Sequence, residues 1–202
     1  ARGLQGAPAI VENGAGVSGV KGAPEGAAEY DDIRAALAEV PAALRACYSG
    51  FGDMTAAEVA EVTGLPLEDA TRAKLRRFSE PGLRAGTDMD QQAFLDALKP
   101  HGVRGRFGGR FLTLSKGRTK ADAMADMIAA YCPDHTIALG DAPNDIEMLE
   151  DADYGVIVAN PSSPELLPLK GEKTGRIMRT TSLGPKGWSE AVLTLLSQLM
   201  PR

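Results

Sequence analysis

The chain has 202 residues, of which 44% are apolar and 5% aromatic, with a formal net charge of −5. That length holds one large domain or two small ones, and the apolar share is enough for a core. The acidic balance and the lack of a basic stripe argue against a nucleic-acid partner. No apolar run approaches the ~18 residues of a membrane-spanning helix. The opening residues Ala1-Arg2-Gly3-Leu4 carry no apolar signal-peptide core, so a cytoplasmic protein with no membrane contact is expected. In that setting Cys47 and Cys132 are expected to be buried thiols and not a disulfide.

In chain order, Ala9-Ile10-Val11 reads as a short strand running into the turn signal Asn13-Gly14. The Gly- and Pro-rich residues 14–28 read as a connector. Ile33, Leu37, Val40 and Leu44 lie at helical spacing and predict a helix over 29–46, kinked or split at Pro41. Thr55 and Glu58 form a capping box that opens a helix, and Gly64 fits its stop. A helix over 66–76 and a polar strand over 76–84 follow. The stretch 88–98 is helical until Pro100 ends it. Strands at 103–107 and 110–115, joined by Gly108-Gly109, form a hairpin. Thr119 caps a helix over 120–131. Then come a strand at 135–139, a helix at 144–150, strands at 154–158 and 175–180, and a final helix at 187–199. Alternating strand and helix in the second half predicts a parallel α/β sheet. The mixed middle, 26–116, suits an α+β insertion.

The most informative segment is Gly140-Asp141-Ala142-Pro143-Asn144-Asp145, directly after the apolar run Ile137-Ala138-Leu139. A strand that ends in Gly-Asp and opens into a helix puts these oxygens at the carboxyl edge of a sheet, where open α/β folds bind ligands. A carboxylate at a helix start is stabilising without any metal, so Asp141 alone says little. Two carboxylates and an amide packed together call for a cation, and hard oxygen donors suit Mg²⁺ and phosphate chemistry.

The stretch Ile137–Glu150 resembles the fourth motif of haloacid-dehalogenase-type phosphatases. More narrowly, it is similar to the mannosyl-3-phosphoglycerate phosphatases of that superfamily. Ile10–Gly14 resembles an early strand of that group. Gly50–Leu65, Arg76–Pro81, Gly108–Leu112 and Gly184–Trp188 extend the likeness over nearly the whole chain. The resemblance implies a Rossmann-like core, residues 1–25 and 117–202, bearing an α+β cap at 26–116 that closes over the substrate. The implied reaction is Mg²⁺-dependent hydrolysis of mannosyl-3-phosphoglycerate, a phosphorylated sugar acid, to mannosylglycerate through an aspartyl-phosphate. Asp141 would be a direct metal ligand. Asn144 and Asp145 would complete or orient the site and could hold a catalytic lysine. Lys120, at the start of a predicted helix, matches the family arrangement better than Lys116, although Ala121 stands where the family usually has glycine.

Other residues stay open between two readings. Arg110, beside Gly109, either grips a substrate carboxylate or lies in solvent. Arg76, Arg77 and Glu80 either read the sugar acid or form surface ion pairs. Trp188 reads as a packing residue at the start of the last helix, and His101 and His135 as structural. The family's first motif, Asp-x-Asp-Gly-Thr, and its Ser/Thr-bearing second motif have no counterpart here, so the nucleophile is expected upstream of this chain. The alternatives are a related sugar-phosphate or glucosyl-3-phosphoglycerate phosphatase, or an inactive truncated paralogue.

Overall fold

A computed structural model describes residues 7–20, 27–108 and 110–199. The chain divides into two compact units, residues 1–118 and 119–202.

The first unit opens with a hairpin. Strands β1 (Ala9–Val11) and β2 (Gly16–Ser18) pair antiparallel around a 3-10 turn at Glu12–Gly14. The second strand occupies part of what the sequence reads as a connector. Three residues with two glycines around Ala15 are too short to show period-2 patterning. The first helical region is split at Pro41 into α1 (Ala27–Glu39) and α2 (Ala42–Arg45), because proline cannot donate into the preceding turn. Strand β3 (Tyr48–Gly50) was not legible for the same reason as β2. Helices α3 (Ala56–Thr63) and α4 (Leu67–Ala73) follow, then strand β4 (Ser79–Arg84), helix α5 (Asp88–Leu98) and strands β5 (Arg104–Gly108) and β6 (Phe111–Ser115). The capping boxes at Thr55 and Thr87 form, and Gly64 closes α3 in the left-handed conformation.

The four strands pair antiparallel in the order β3-β4-β6-β5. One sheet face is covered by α1 and α5, where Ile33, Leu37, Phe94, Leu98, Leu112 and Leu114 form the core. Phe51, Val59 and Ala70 make a smaller cluster that Phe111 joins.

Two carboxylates organise this unit. Glu80 on β4 is fully buried. Its oxygens accept from Arg34 Nη1 at 3.0 Å, Tyr30 Oη at 3.0 Å and the Gly52 amide at 2.8 Å. A Cβ at Gly50 would collide with Glu80 Oε1, so the absence of a side chain there makes room for the carboxylate. Burial pushes the Glu80 carboxyl up, against these hydrogen bonds, and drives the Tyr30 hydroxyl up to about 12. Glu12 straps the hairpin to β4: its carboxylate accepts from the Arg77 and Phe78 amides at 2.8 and 3.2 Å and from Ser79 Oγ at 2.6 Å. The Phe78 ring lies against Gly16, where a Cβ would meet its Cε1 at 2.5 Å.

The second unit contains α6 (Lys120–Tyr131), β7 (Ile137–Gly140), α7 (Ile146–Asp151), β8 (Tyr154–Ala159), β9 (Ile177–Leu183) and α8 (Gly184–Leu199). The strands are parallel in the order β7-β8-β9. One face is filled by Ala138, Leu149, Ile157 and Ile177 with Met124 of α6, and the other by Val156 against Ala191 and Leu195 of α8. The fold is thus α/β, with one antiparallel α+β unit and one parallel unit. No described helix is long and apolar enough to cross a membrane. Both cysteines are free, but neither is buried as expected: Cys47 is half-buried and Cys132 exposed. It ends α6 at φ 43°, so its backbone position, not its sulfur, fixes where it sits.

Asp53 provides a test of the first unit. Burial alone would raise its carboxyl, but hydrogen bonds from Arg34 and Arg45 and from the Gly50 amide outweigh this and hold it at about 2. A depressed folded value adds stability above the unfolded value near 3.8, lost as pH falls through the folded one. Asp53→Asn is expected to cost roughly 1–2 kcal/mol near neutral pH. Urea unfolding at several pH values should show the difference shrinking between about pH 4 and pH 2. A difference independent of pH would contradict the assignment.

Candidate active site

The site begins at the carboxyl end of β7, whose Ala138 is buried. Gly140 pairs in register with Ile157, and the chain then leaves the sheet through a 3-10 turn at Pro143–Asp145. Asp145 folds back over the strand end. Its Oδ2 accepts from the Asp141 and Ala142 amides, both at 3.1 Å. A Cβ on Gly140 would lie 2.6 Å from Asp145 Cγ, so only glycine lets the carboxylate return. Asp145 is 4% exposed, and a buried carboxylate needs a countercharge. Lys120 Nζ supplies it, 2.5 Å from Oδ1.

The lysine's position is equally telling. It is the first residue of α6, capped by Thr119 and Asp122. The helix dipole disfavours a cation at that end. The ammonium is nevertheless held there, by Asp145. The structure therefore brings Lys120, Asp141 and Asp145 to one strand end. Lys116 lies elsewhere, in the first unit, donating to the His101 carbonyl and paired with Asp32 at 3.3 Å.

Asp141 is held by two residues that sequence reasoning missed. Its Oδ2 accepts from Asn160 Nδ2 at 2.5 Å and Ser163 Oγ at 2.9 Å. These bonds, Asn160 first, hold the Asp141 carboxyl below its usual value, with the Lys120 charge adding to them. The signal was present: Asn160-Pro161-Ser162-Ser163 is a polar turn at the end of β8, the strand next to β7. A cavity of ≈610 Å³ opens here, lined by Leu139, Asp141, Asn160, Pro185 and Trp188. Trp188 is 50% exposed, so it borders this cavity instead of packing in the core.

Mg²⁺ takes one or two carboxylates and completes its shell with water and phosphate oxygens. Among the described residues no group of three or more His, Cys, Asp or Glu side chains is gathered, so there is no closed cage. Asp145 is committed to Lys120 and to the loop amides. Asp141, bonded to neutral donors, offers a hard oxygen at this turn. That donor fits an ion that shares its shell with substrate.

The residues predicted to read substrate lie in the first unit and are dispersed. Glu80 is buried in the interior network described above and does not join Arg76 and Arg77 in a surface cluster. Arg76 and Arg77 border a cavity of ≈270 Å³ with Glu12 and Arg72. Arg110 is exposed, donating to the Thr63 carbonyl at 3.4 Å, with its guanidinium 5.5 Å from the Phe111 ring centre. Gly109 lies outside the described residues.

Comparison with known proteins agrees with this geometry. A family of haloacid dehalogenase-like hydrolases matches residues 102–167, the span that holds Lys120 and the Asp141–Asp145 turn. The chain is 29% identical over 178 residues to a glucosyl-3-phosphoglycerate/mannosyl-3-phosphoglycerate phosphatase of Persephonella marina. Its central third thus resembles the haloacid dehalogenase-like hydrolases. The match takes in 85% of the chain and 63% of that relative, so the chain spans less than two thirds of the relative's length. Two solved structures share the fold. One is from Eubacterium rectale, with a TM-score of 0.59 at 20% identity, covering 95% of this chain and 76% of that one. The other is the sucrose-phosphatase of Synechocystis in complex with sucrose and phosphate, with a TM-score of 0.52 at 18% identity, covering 93% and 73%.

Gly140→Ala tests the local construction. The added methyl must displace the Asp145 carboxylate from its place over the strand end, at a cost of roughly 1–3 kcal/mol. Thermal unfolding should show that loss. An unchanged midpoint would mean that Asp145 does not fold back as described.

Proposed function

We propose that the protein carrying this chain is a Mg²⁺-dependent phosphatase that hydrolyses mannosyl-3-phosphoglycerate to mannosylglycerate and phosphate. The observation that carries the reading is the 2.5 Å Lys120–Asp145 pair beside Asp141 at the carboxyl edge of a parallel sheet. A rigid ammonium and a deprotonated carboxylate at one strand end suit a transferring phosphoryl group, whose charge is stabilised by fixed cations. Lys120 contributes one such charge, aimed by Asp145 and not free to rotate into solvent. Asp141 and Asn144 would hold the magnesium ion, which when bound neutralises phosphate oxygens. Asn160 and Ser163 keep Asp141 ionised and oriented toward that task.

The reading requires an attacking aspartate, as the family resemblance implies. The choice of substrate is supported by the named relative, whose two sugar phosphates share the 3-phosphoglycerate half. Glucosyl-3-phosphoglycerate is therefore the second candidate substrate.

Phosphate release from both sugar phosphates, with and without Mg²⁺, is the decisive assay on the full-length protein. Lys120→Met and Asp141→Asn are each expected to lower kcat/KM about 100-fold or more. No release from either substrate by the unaltered protein would refute the proposal.

A further inference from the structure

Strand β5 is the outer strand of the first unit's sheet, with β6 on one side and no described strand on the other. Pro81 shows which backbone groups of β5 face outward. Its carbonyl accepts from the Phe51 amide, away from β6, and proline has no amide to donate. Thr113, the register partner of Pro81 on β6, therefore turns its backbone groups the other way, to Arg106 of β5. Bonded and non-bonded pairs alternate along an antiparallel ladder. The amides and carbonyls of Gly105 and Phe107 thus face the open edge.

Sheet edges are commonly blunted by proline, a bulge or a covering element. β5 contains no proline and pairs with β6 without a register shift. Its Phe107 is 54% exposed. A cavity of ≈620 Å³ lies beside the strand, with Gln92, Leu95 and Lys99 of α5 and Arg104, Gly105 and Lys116 among its lining residues. None of its described lining residues is acidic. Leu95 lies over Gly105, where a Cβ would come within 2.5 Å of its Cδ2. An apolar surface therefore borders the strand on the α5 side.

The pleat sorts the chemistry along this edge. Gly105 and Phe107 pair with Leu114 and Leu112, whose side chains belong to the core. Arg104 and Arg106 are turned to the opposite face, and both are exposed. Lys99 and Lys116 are paired with Asp96 and Asp32, whereas Arg104 and Arg106 enter no ion pair among the described residues. Charge then decides the occupant. A second copy of β5 would set arginine against arginine on one face, which is destabilising. A strand with acids at alternate positions would set carboxylates opposite the same two arginines, which is favourable.

We infer that the open edge of β5 binds an extended peptide with acidic residues at alternate positions, which joins the sheet as a further strand. Its carboxylates pair with Arg104 and Arg106, and an apolar side chain between them lies against Leu95 and Phe107. Backbone bonds to Gly105 and Phe107 supply affinity, and the alternating side chains supply the choice of sequence. This inference is independent of the phosphatase reading.

The probes are the fluorescein-labelled peptides Glu-Val-Glu-Val-Glu and Lys-Val-Lys-Val-Lys, titrated into the full-length protein and read by fluorescence anisotropy. The acidic peptide is expected to bind about tenfold more tightly than the basic one. It should also slow hydrogen exchange at the Gly105 and Phe107 amides, followed by NMR. Phe107→Pro removes an outward amide and no bond to β6, a place where an edge strand tolerates proline. It should weaken the acidic peptide about fivefold. The double variant Arg104→Glu/Arg106→Glu should reverse the preference toward the basic peptide. Equal affinity for the two peptides, or binding of neither, overturns the inference. So does acidic-peptide binding that leaves exchange at Gly105 and Phe107 unchanged, which would mean an anion held in the cavity alone. A dimer in sedimentation that excludes the peptide would assign the edge to a second copy and overturn it too.

Discussion

The ion pair between Lys120 and Asp145 is the constraint on which the second unit depends. Neither partner is comfortable alone. Asp145 is almost wholly removed from water, and Lys120 opens a helix whose dipole repels cations. Breaking such a pair costs roughly 3–5 kcal/mol when one charge is left buried and uncompensated. Several features of the sequence follow. Residue 140 is a glycine so that the carboxylate can fold back. The Asp141 and Ala142 amides point at that same carboxylate. The side chain of Asp141 is thereby released to other donors, Asn160 and Ser163, which hold it ionised at the edge of the cavity. One carboxylate is thus committed to the strand end, while its neighbour borders the cavity.

The first unit uses acids in a related way. Glu80 and Glu12 are both satisfied largely by backbone amides and hydroxyls. Glu80 joins α1 to β4 and to the loop after β3. Glu12 clamps a strained turn onto the start of β4. These acids fix architecture.

Much of this was legible in the sequence because the relevant signals are local. Thr119 caps a helix at the predicted residue, the Gly140–Asp145 turn follows an apolar strand, and the capping box at Thr55 needs only four residues to be recognised. Lys120, at the start of the predicted helix, is the lysine that pairs with Asp145, whereas Lys116 pairs with Asp32. What was not legible depended on pairing between distant segments. Strands β2 and β3 have three residues each and acquire their identity from partners. Glu80 looks like a surface acid until Gly50 and Gly52 are seen to make room for it. Asn160 and Ser163 belong to the site through adjacency of β7 and β8, and Trp188 is drawn to the cavity by the position of α8 and not by its own neighbours in sequence.

The most direct test of the central claim is a crystal structure of the full-length protein grown with Mg²⁺ and vanadate, which mimics a phosphoryl group in transfer. The account predicts vanadate oxygen within hydrogen-bonding distance of Lys120 Nζ, the ion on the Asp141 carboxylate, and Asp145 still bonded to the lysine. A Lys120 side chain turned to solvent, with the ion and vanadate bound away from Asp141, would contradict it.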